Sequence, residues 1–259
     1  MPIIGDTIKI RNKNGFLGLI PCIIPGYPDT ATSLAITEFL DQAPAVSVIE
    51  FTHPAATSFS ATANELIISA NRQAVQGNTA PLLKQWFKRT KPNFIMFYRE
   101  SVEKYGFEEL VKQYKPVSSG ILLEWGDGKP DLPFWQICKE YEIELINCID
   151  PYMLEKDLAE IVEYTPRGGL IYLSCAPQAG GSRHPGHKIA ECAHWVKRNL
   201  PDAVITASLG IRSPEDIKQM AAIPDIDAVV IGSALFKAAE RGIQGVQEYL
   251  ALIEPALAK

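Results

Sequence analysis

The chain has 259 residues, of which 47% are hydrophobic and 21% charged, with a formal net charge of -5. The length suits a single domain spanning 1–259, and the composition is that of a soluble globular protein with a sizeable core. An acidic balance with no Lys/Arg stripe interleaved with aromatics excludes a nucleic-acid binder, and no run approaches the ~18 apolar residues of a membrane span. With no signal-like segment at Met1-Pro2-Ile3-Ile4, the expected location is the cytoplasm.

Taken in chain order, short apolar runs at 17–24, 46–51, 94–98, 120–124, 143–148, 170–175, 203–207 and 228–231 predict eight strands. Helical periodicity follows each run, beginning near Thr30, Ala61, Ser101, Leu132, Leu154, Gly186, Ser213 and Ala234. Ser213-Pro214-Glu215-Asp216 carries its own start signal, a capping serine with proline at the first helical position. Eight β-α units predict the α/β class and a closed (β/α)8 TIM barrel. A doubly wound open sheet is the rival, but Pro25-Gly26-Tyr27-Pro28 after the first strand is not a dinucleotide-binding G-x-G-x-x-G. The five cysteines, Cys22, Cys138, Cys148, Cys175 and Cys192, form no C-x-x-C pair and are expected to be reduced, packed thiols.

In such a barrel the functional groups lie just beyond the C-terminal ends of the strands. Small residues crowd three of those loops: Gly180-Gly181-Ser182, Ser208-Leu209-Gly210 and Ile231-Gly232-Ser233. Glycines let backbone N–H groups approach an anion, and the helix start behind Gly232 and Ser233 adds a favourable dipole, so these loops suit a phosphate; tight βα turns are the plainer alternative. Arg183 and Arg212 flank them, either to clamp the anion or as solvated surface. Glu50 ends an apolar run and should point into the barrel mouth, where burial fits a carboxyl for acid/base work or for a structural hydrogen bond. His53, three residues on, is either a proton shuttle or substrate contact, or an exposed loop histidine. His184 and His187 have helical ligand spacing, but Pro185 and Gly186 between them indicate a loop, and no metal site is expected.

The segments in view resemble the tryptophan synthase α-subunit family from Gly18 to Lys237. They are Pro25-Gly-Tyr-Pro-Asp-Thr-Ala-Thr-Ser-Leu34, Val48-Ile-Glu-Phe51, Ser69-Ala-Asn-Arg-Gln-Ala74, Ile171-Tyr-Leu-Ser174 with Gly181, Leu209-Gly-Ile-Arg-Ser-Pro-Glu-Asp-Ile217 and Gly232-Ser-Ala-Leu-Phe-Lys237. The resemblance implies a lyase that cleaves indole-3-glycerol phosphate, a small phosphorylated substrate, into indole and glyceraldehyde 3-phosphate by a retro-aldol step without metal or cofactor. It places Glu50 on the catalytic glutamate, Tyr98 and Tyr172 in the substrate pocket, Cys22 where the family has an aromatic against indole, and Gly181, Gly210, Gly232 and Ser233 on the phosphate. It also implies a β-subunit-like partner; a homo-oligomer is the alternative.

The departures centre on the loop after strand 2. Where the family supplies a second catalytic carboxylate, an aspartate, residues 54–63 read Pro-Ala-Ala-Thr-Ser-Phe-Ser-Ala-Thr-Ala with no acid at all. Trp125 stands in place of a carboxylate after strand 4, and the helix before strand 1 reads as reduced to 7–15. Glu65, Glu124 and Asp127 are the substitutes in reach; helix-start or loop carboxylates are their plainer reading. A diverged substrate, a relocated carboxylate and a non-catalytic ligand-binding subunit all remain open at this point.

Overall fold

The computed structural model describes residues 3–57, 59, 63–77, 85, 88–124 and 132–259. Its strands are β1 (Gly18–Ile23), β2 (Ile49–Thr52), β3 (Asn93–Tyr98), β4 (Gly120–Glu124), β5 (Glu144–Ile149), β6 (Leu170–Ser174), β7 (Val204–Ser208) and β8 (Ala228–Ile231). They form a closed barrel in sequence order, every neighbouring pair parallel and β8 returning to β1. The expected TIM barrel is therefore the fold.

Closure buries both faces of every strand, which is why the strands read as continuous apolar runs and not as alternating ones. Period 2 still divides them. Glu50 and Thr52, Met96 and Tyr98, Leu122 and Glu124, Tyr172 and Ser174 all face the interior, whereas Phe51, Phe97 and Leu123 between them are buried outside the barrel wall.

The helices that follow the strands are α2 (Thr30–Gln42), α3 (Glu65–Gln76), α4 (Arg99–Tyr105), α5 (Phe107–Tyr114), α6 (Leu132–Glu140), α7 (Glu155–Tyr164), α8 (Gly186–Asn199), α9 (Pro214–Ala221), α10 (Ser233–Ala239) and α11 (Gly242–Ile253), after α1 (Ile3–Lys13) at the start. Ser213 and Asp216 close a reciprocal capping box on α9, with Pro214 at its first position, as the sequence indicates.

α1 corrects the expectation of a reduced first helix. It runs from Ile3 and drives Ile4 and Ile8, one turn apart and fully buried, into the floor of the barrel. The approach is so close that a Cβ on Gly5 would lie 1.9 Å from the Gly168 carbonyl oxygen, so no other residue fits there without moving backbone. The floor is thereby closed, and the opposite, C-terminal end of the barrel is left as the mouth.

Candidate active site

A cavity of about 330 Å³ occupies that mouth. Glu50 lies at its base, 2% exposed, presented by the middle of β2. The Tyr172 hydroxyl, from the far side of the barrel, donates to Glu50 Oε2 at 3.1 Å. Cys22 pairs with Glu50 in the β1–β2 register and its Sγ lies 3.5 Å from Thr52 Oγ1. Burial penalises the carboxylate and raises the Glu50 pKa from 4.5 to about 7; hydrogen bonds from Cys22 and Tyr172 oppose the rise, and the charge of Glu124 adds to it. The same burial pushes the Cys22 thiol and the Tyr172 and Tyr98 phenols up, so all three stay protonated donors at neutral pH. Tyr98 packs edge-on against Phe59 at 5.1 Å, a contact that joins the end of β3 to the loop after β2.

The other wall is backbone-rich. Gly180, Gly210, Gly232, Ser233 and Ala234 line it, with Arg212 and Lys237. Leu209 and Gly210 both hold positive φ, 61° and 73°, which turns the chain at the cavity edge. A Cβ on Gly210 would lie 2.6 Å from Arg183 Cγ, so glycine is required here by space as well as by conformation.

Asn64, which the sequence reading did not single out, ties this wall together. Its Oδ1 caps α3 by accepting from the Ile67 N–H at 2.9 Å, and its Nδ2 donates to the Ala179 carbonyl at 2.8 Å and to Ser233 Oγ at 3.4 Å. The position of Asn64 immediately before Glu65-Leu66-Ile67 is a legible cap signal; the reach to two further loops is not. Arg212 Nη1 donates to the Gly180 carbonyl at 2.8 Å, fixing the guanidinium at the same rim.

Of the residues singled out by sequence, the cavity brings together Glu50, Tyr98, Tyr172, Cys22, Gly210, Gly232 and Ser233. His53 is a correction. It lies one strand parity away from Glu50, outside the wall, with Nδ1 3.0 Å from Ser101 Oγ and its ring among Phe97, Tyr105 and Tyr114. Burial lowers its pKa from 6.5 to about 4, so it sits there as a neutral, packed imidazole.

Gly181 is a second correction. Its N–H donates to the Gln178 carbonyl at 3.0 Å, and it opens onto a neighbouring groove, leaving Gly180 on the cavity. Arg183 belongs to that groove too, paired with Asp216 at 2.7 Å. Glu65 is exposed at the start of α3 and does not line the cavity, whereas Glu124 does. Trp125 and Asp127 lie outside the described residues. His184 meets Asp150 at 3.3 Å, and among the described residues no group of three or more His, Cys, Asp or Glu side chains is arranged to hold a metal.

The molecule is thus a parallel barrel with a buried carboxyl on β2 facing glycine-containing loops after β6, β7 and β8. The family model for the tryptophan synthase alpha chain matches residues 7–256. The chain belongs to that family. It is 29% identical to the tryptophan synthase alpha chain of Antithamnion sp., over 92% of this chain and 90% of that protein. A Campylobacter jejuni tryptophan synthase alpha chain is 25% identical over 84% of this chain and 86% of its own.

Among solved structures, Mycobacterium tuberculosis tryptophan synthase superposes with a TM-score of 0.85 at 22% identity, covering 99% of this chain and 98% of that one. A tryptophan synthase complex from Pyrococcus furiosus gives 0.74 at 20% identity, covering 93% and 99%. These likenesses confirm the barrel architecture. Membership places the chain in a lyase-type family, and among the described residues no helix is long and apolar enough to cross a membrane.

Proposed function

We propose that this member of the tryptophan synthase alpha chain family is a carbon–carbon lyase acting on indole-3-glycerol phosphate or a close relative, with Glu50 as acid and base. Cleavage requires a proton on the ring carbon that bears the side chain and removal of the proton from the adjacent side-chain hydroxyl. The bonding pair then returns to the ring and the departing fragment leaves as an aldehyde. A carboxyl poised near pH 7 is matched to both duties at neutral pH: Glu50 gives the first proton and, as carboxylate, takes the second.

Tyr172 orients the carboxyl, and the apolar surround from Leu122 and Tyr98 suits an aromatic ring. On the opposite wall Gly210, Gly232 and Ser233, with Gly180 taking the place expected of Gly181, would hold the phosphate through backbone N–H groups, with Arg212 and Lys237 supplying positive charge. The observation that carries the reading is the buried Glu50 carboxyl facing that glycine-rich wall across one cavity. The reaction as written draws on no metal or organic cofactor.

Indole release from indole-3-glycerol phosphate by the purified protein, with Glu50→Gln beside it, tests the proposal. Release lost in the variant supports it; a wild-type protein that binds the substrate without releasing indole removes it. That second outcome is the prediction of a rival reading, a diverged substrate or a binding-only subunit, which the acid-free stretch 54–63 favours. The proposal extends to one barrel domain over 1–259 working in the cytoplasm. A β-subunit-like partner, with self-association as the alternative, is supported by the Pyrococcus furiosus neighbour being a tryptophan synthase complex.

A further inference from the structure

Protonating the ring carbon leaves a positive charge that resides largely on the ring nitrogen until the carbon–carbon bond breaks. An anionic acceptor beside that nitrogen would stabilise the transition state, and Glu50 does not serve, since it has just given up its proton to the ring and must next take one from the hydroxyl. Among the described residues that line the cavity there are two carboxylates, Glu50 and Glu124.

Glu124 ends β4, paired in register with Tyr98 and two residues beyond the inward-facing Leu122. Its charge raises the pKa of Glu50, Tyr98, Tyr172 and Cys148, so its field acts on groups from β2, β3, β5 and β6 around one interior. The closed ring of eight strands sets β4 opposite β8. A ligand whose anionic end rested on Gly232 and Ser233 would face Glu124 across the cavity that these residues and Glu50 line together. The two carboxyls differ in surroundings: Glu50 is enclosed, and Glu124 is half-buried at the mouth. Two carboxyls in one cavity with unlike environments divide into a proton carrier and a charge stabiliser.

We propose that Glu124 is the second catalytic carboxylate of this protein, accepting the ring N–H of the substrate and stabilising the positive charge that forms there. The assignment rests on the cleavage reading above. Glu65, the other described acid within reach by sequence, is exposed and off the cavity.

The test uses the purified full chain with two substrates, indole-3-glycerol phosphate and its analogue methylated on the ring nitrogen, and three variants: Glu124→Gln, Glu124→Asp and Glu65→Gln. A contact made mainly in the transition state predicts a fall in kcat of about 100-fold for Glu124→Gln, with KM changed less than about threefold. N-methylation should slow the wild type strongly and Glu124→Gln hardly further, because both changes remove the same contact. Glu124→Asp should lie between in rate and in its sensitivity to methylation, and Glu65→Gln should match the wild type.

If Glu124→Gln fails to fold, the wild-type and Glu124→Asp ratios between the two substrates decide the matter alone. Equal methylation penalties across the folded Glu124 variants overturn the assignment while leaving the cleavage reading standing. A wild type that releases no indole overturns both together.

Discussion

Glu50→Gln is expected to stabilise the protein above neutral pH while abolishing turnover, and the size of the gain follows from the burial of the carboxyl. Its pKa stands at about 7 in the fold against an ordinary 4.5. At about 1.4 kcal/mol per pKa unit, the folded state gives up about 3 kcal/mol when this group is ionised in both states. The folded pKa is the higher one, so the stability is fully present below pH 4.5, falls as pH rises toward 7, and stays reduced beyond it. Glutamine never ionises and escapes that loss. Its amide leaves one donor poorly matched against Tyr172 and Cys22, which costs about 1 kcal/mol. A net gain of about 2 kcal/mol remains at pH 8.5, or roughly 4–8 °C in Tm for a chain of this length.

Thermal unfolding of both proteins between pH 4 and 9 measures it. A Tm difference that stays flat with pH, or grows toward acid, would falsify the argument. Glu144 is the control. It is buried outside the cavity and raised to about 7 chiefly by burial, so Glu144→Gln should show the same pH-dependent gain with turnover unchanged.

His53→Ala should cost about 2–4 kcal/mol at pH 7 through the cavity left among Phe97, Tyr105 and Tyr114, with turnover within about threefold of wild type. Its folded pKa is depressed, so its stabilising contribution is present above 6.5 and lost as pH falls through about 4; denaturation at pH 7 and pH 4.5 reads this, and a folded variant with collapsed turnover would restore a chemical role to His53. Gly210→Ala, which forces a side chain into positive φ and onto Arg183, should lower stability by about 1–2 kcal/mol and weaken glycerol phosphate binding. Gly232→Ala meets only Cys22 Cβ at 3.8 Å and should keep its Tm; equal Tm losses in both glycine variants would argue against a conformational requirement at Gly210.

The run at 228–231 is β8 itself, and 120–124 is β4, because buried parallel strands leave unbroken β-branched and aliphatic runs that chance rarely produces. α9 was equally legible, since its cap, its proline and its capping partner are adjacent in sequence. The full length of α1 is not legible, because only Ile4, Gly5 and Ile8 of its residues are buried and the helix is held by the barrel floor more than by its own pattern.

Glu50 is legible because it ends an apolar strand run, and closeness in sequence alone associates His53 with it. Strand parity, available in the sequence, puts 50 and 52 inside and 53 outside. The exchange of Gly180 for Gly181 was not legible, because loops carry no period and the direction of an amide depends on which carbonyl, here that of Gln178, the turn selects.

Local propensity and the periods of strand and helix are properties of neighbouring residues, so the sequence by itself determined the eight strand-and-helix units, the barrel class they imply and Glu50 at its mouth. The charge state of Glu50, the bridge made by Asn64 and the nearness of Glu124 depend on groups brought together from as far as 169 residues apart, as Ser233 is from Asn64, and only the closed barrel sets those distances.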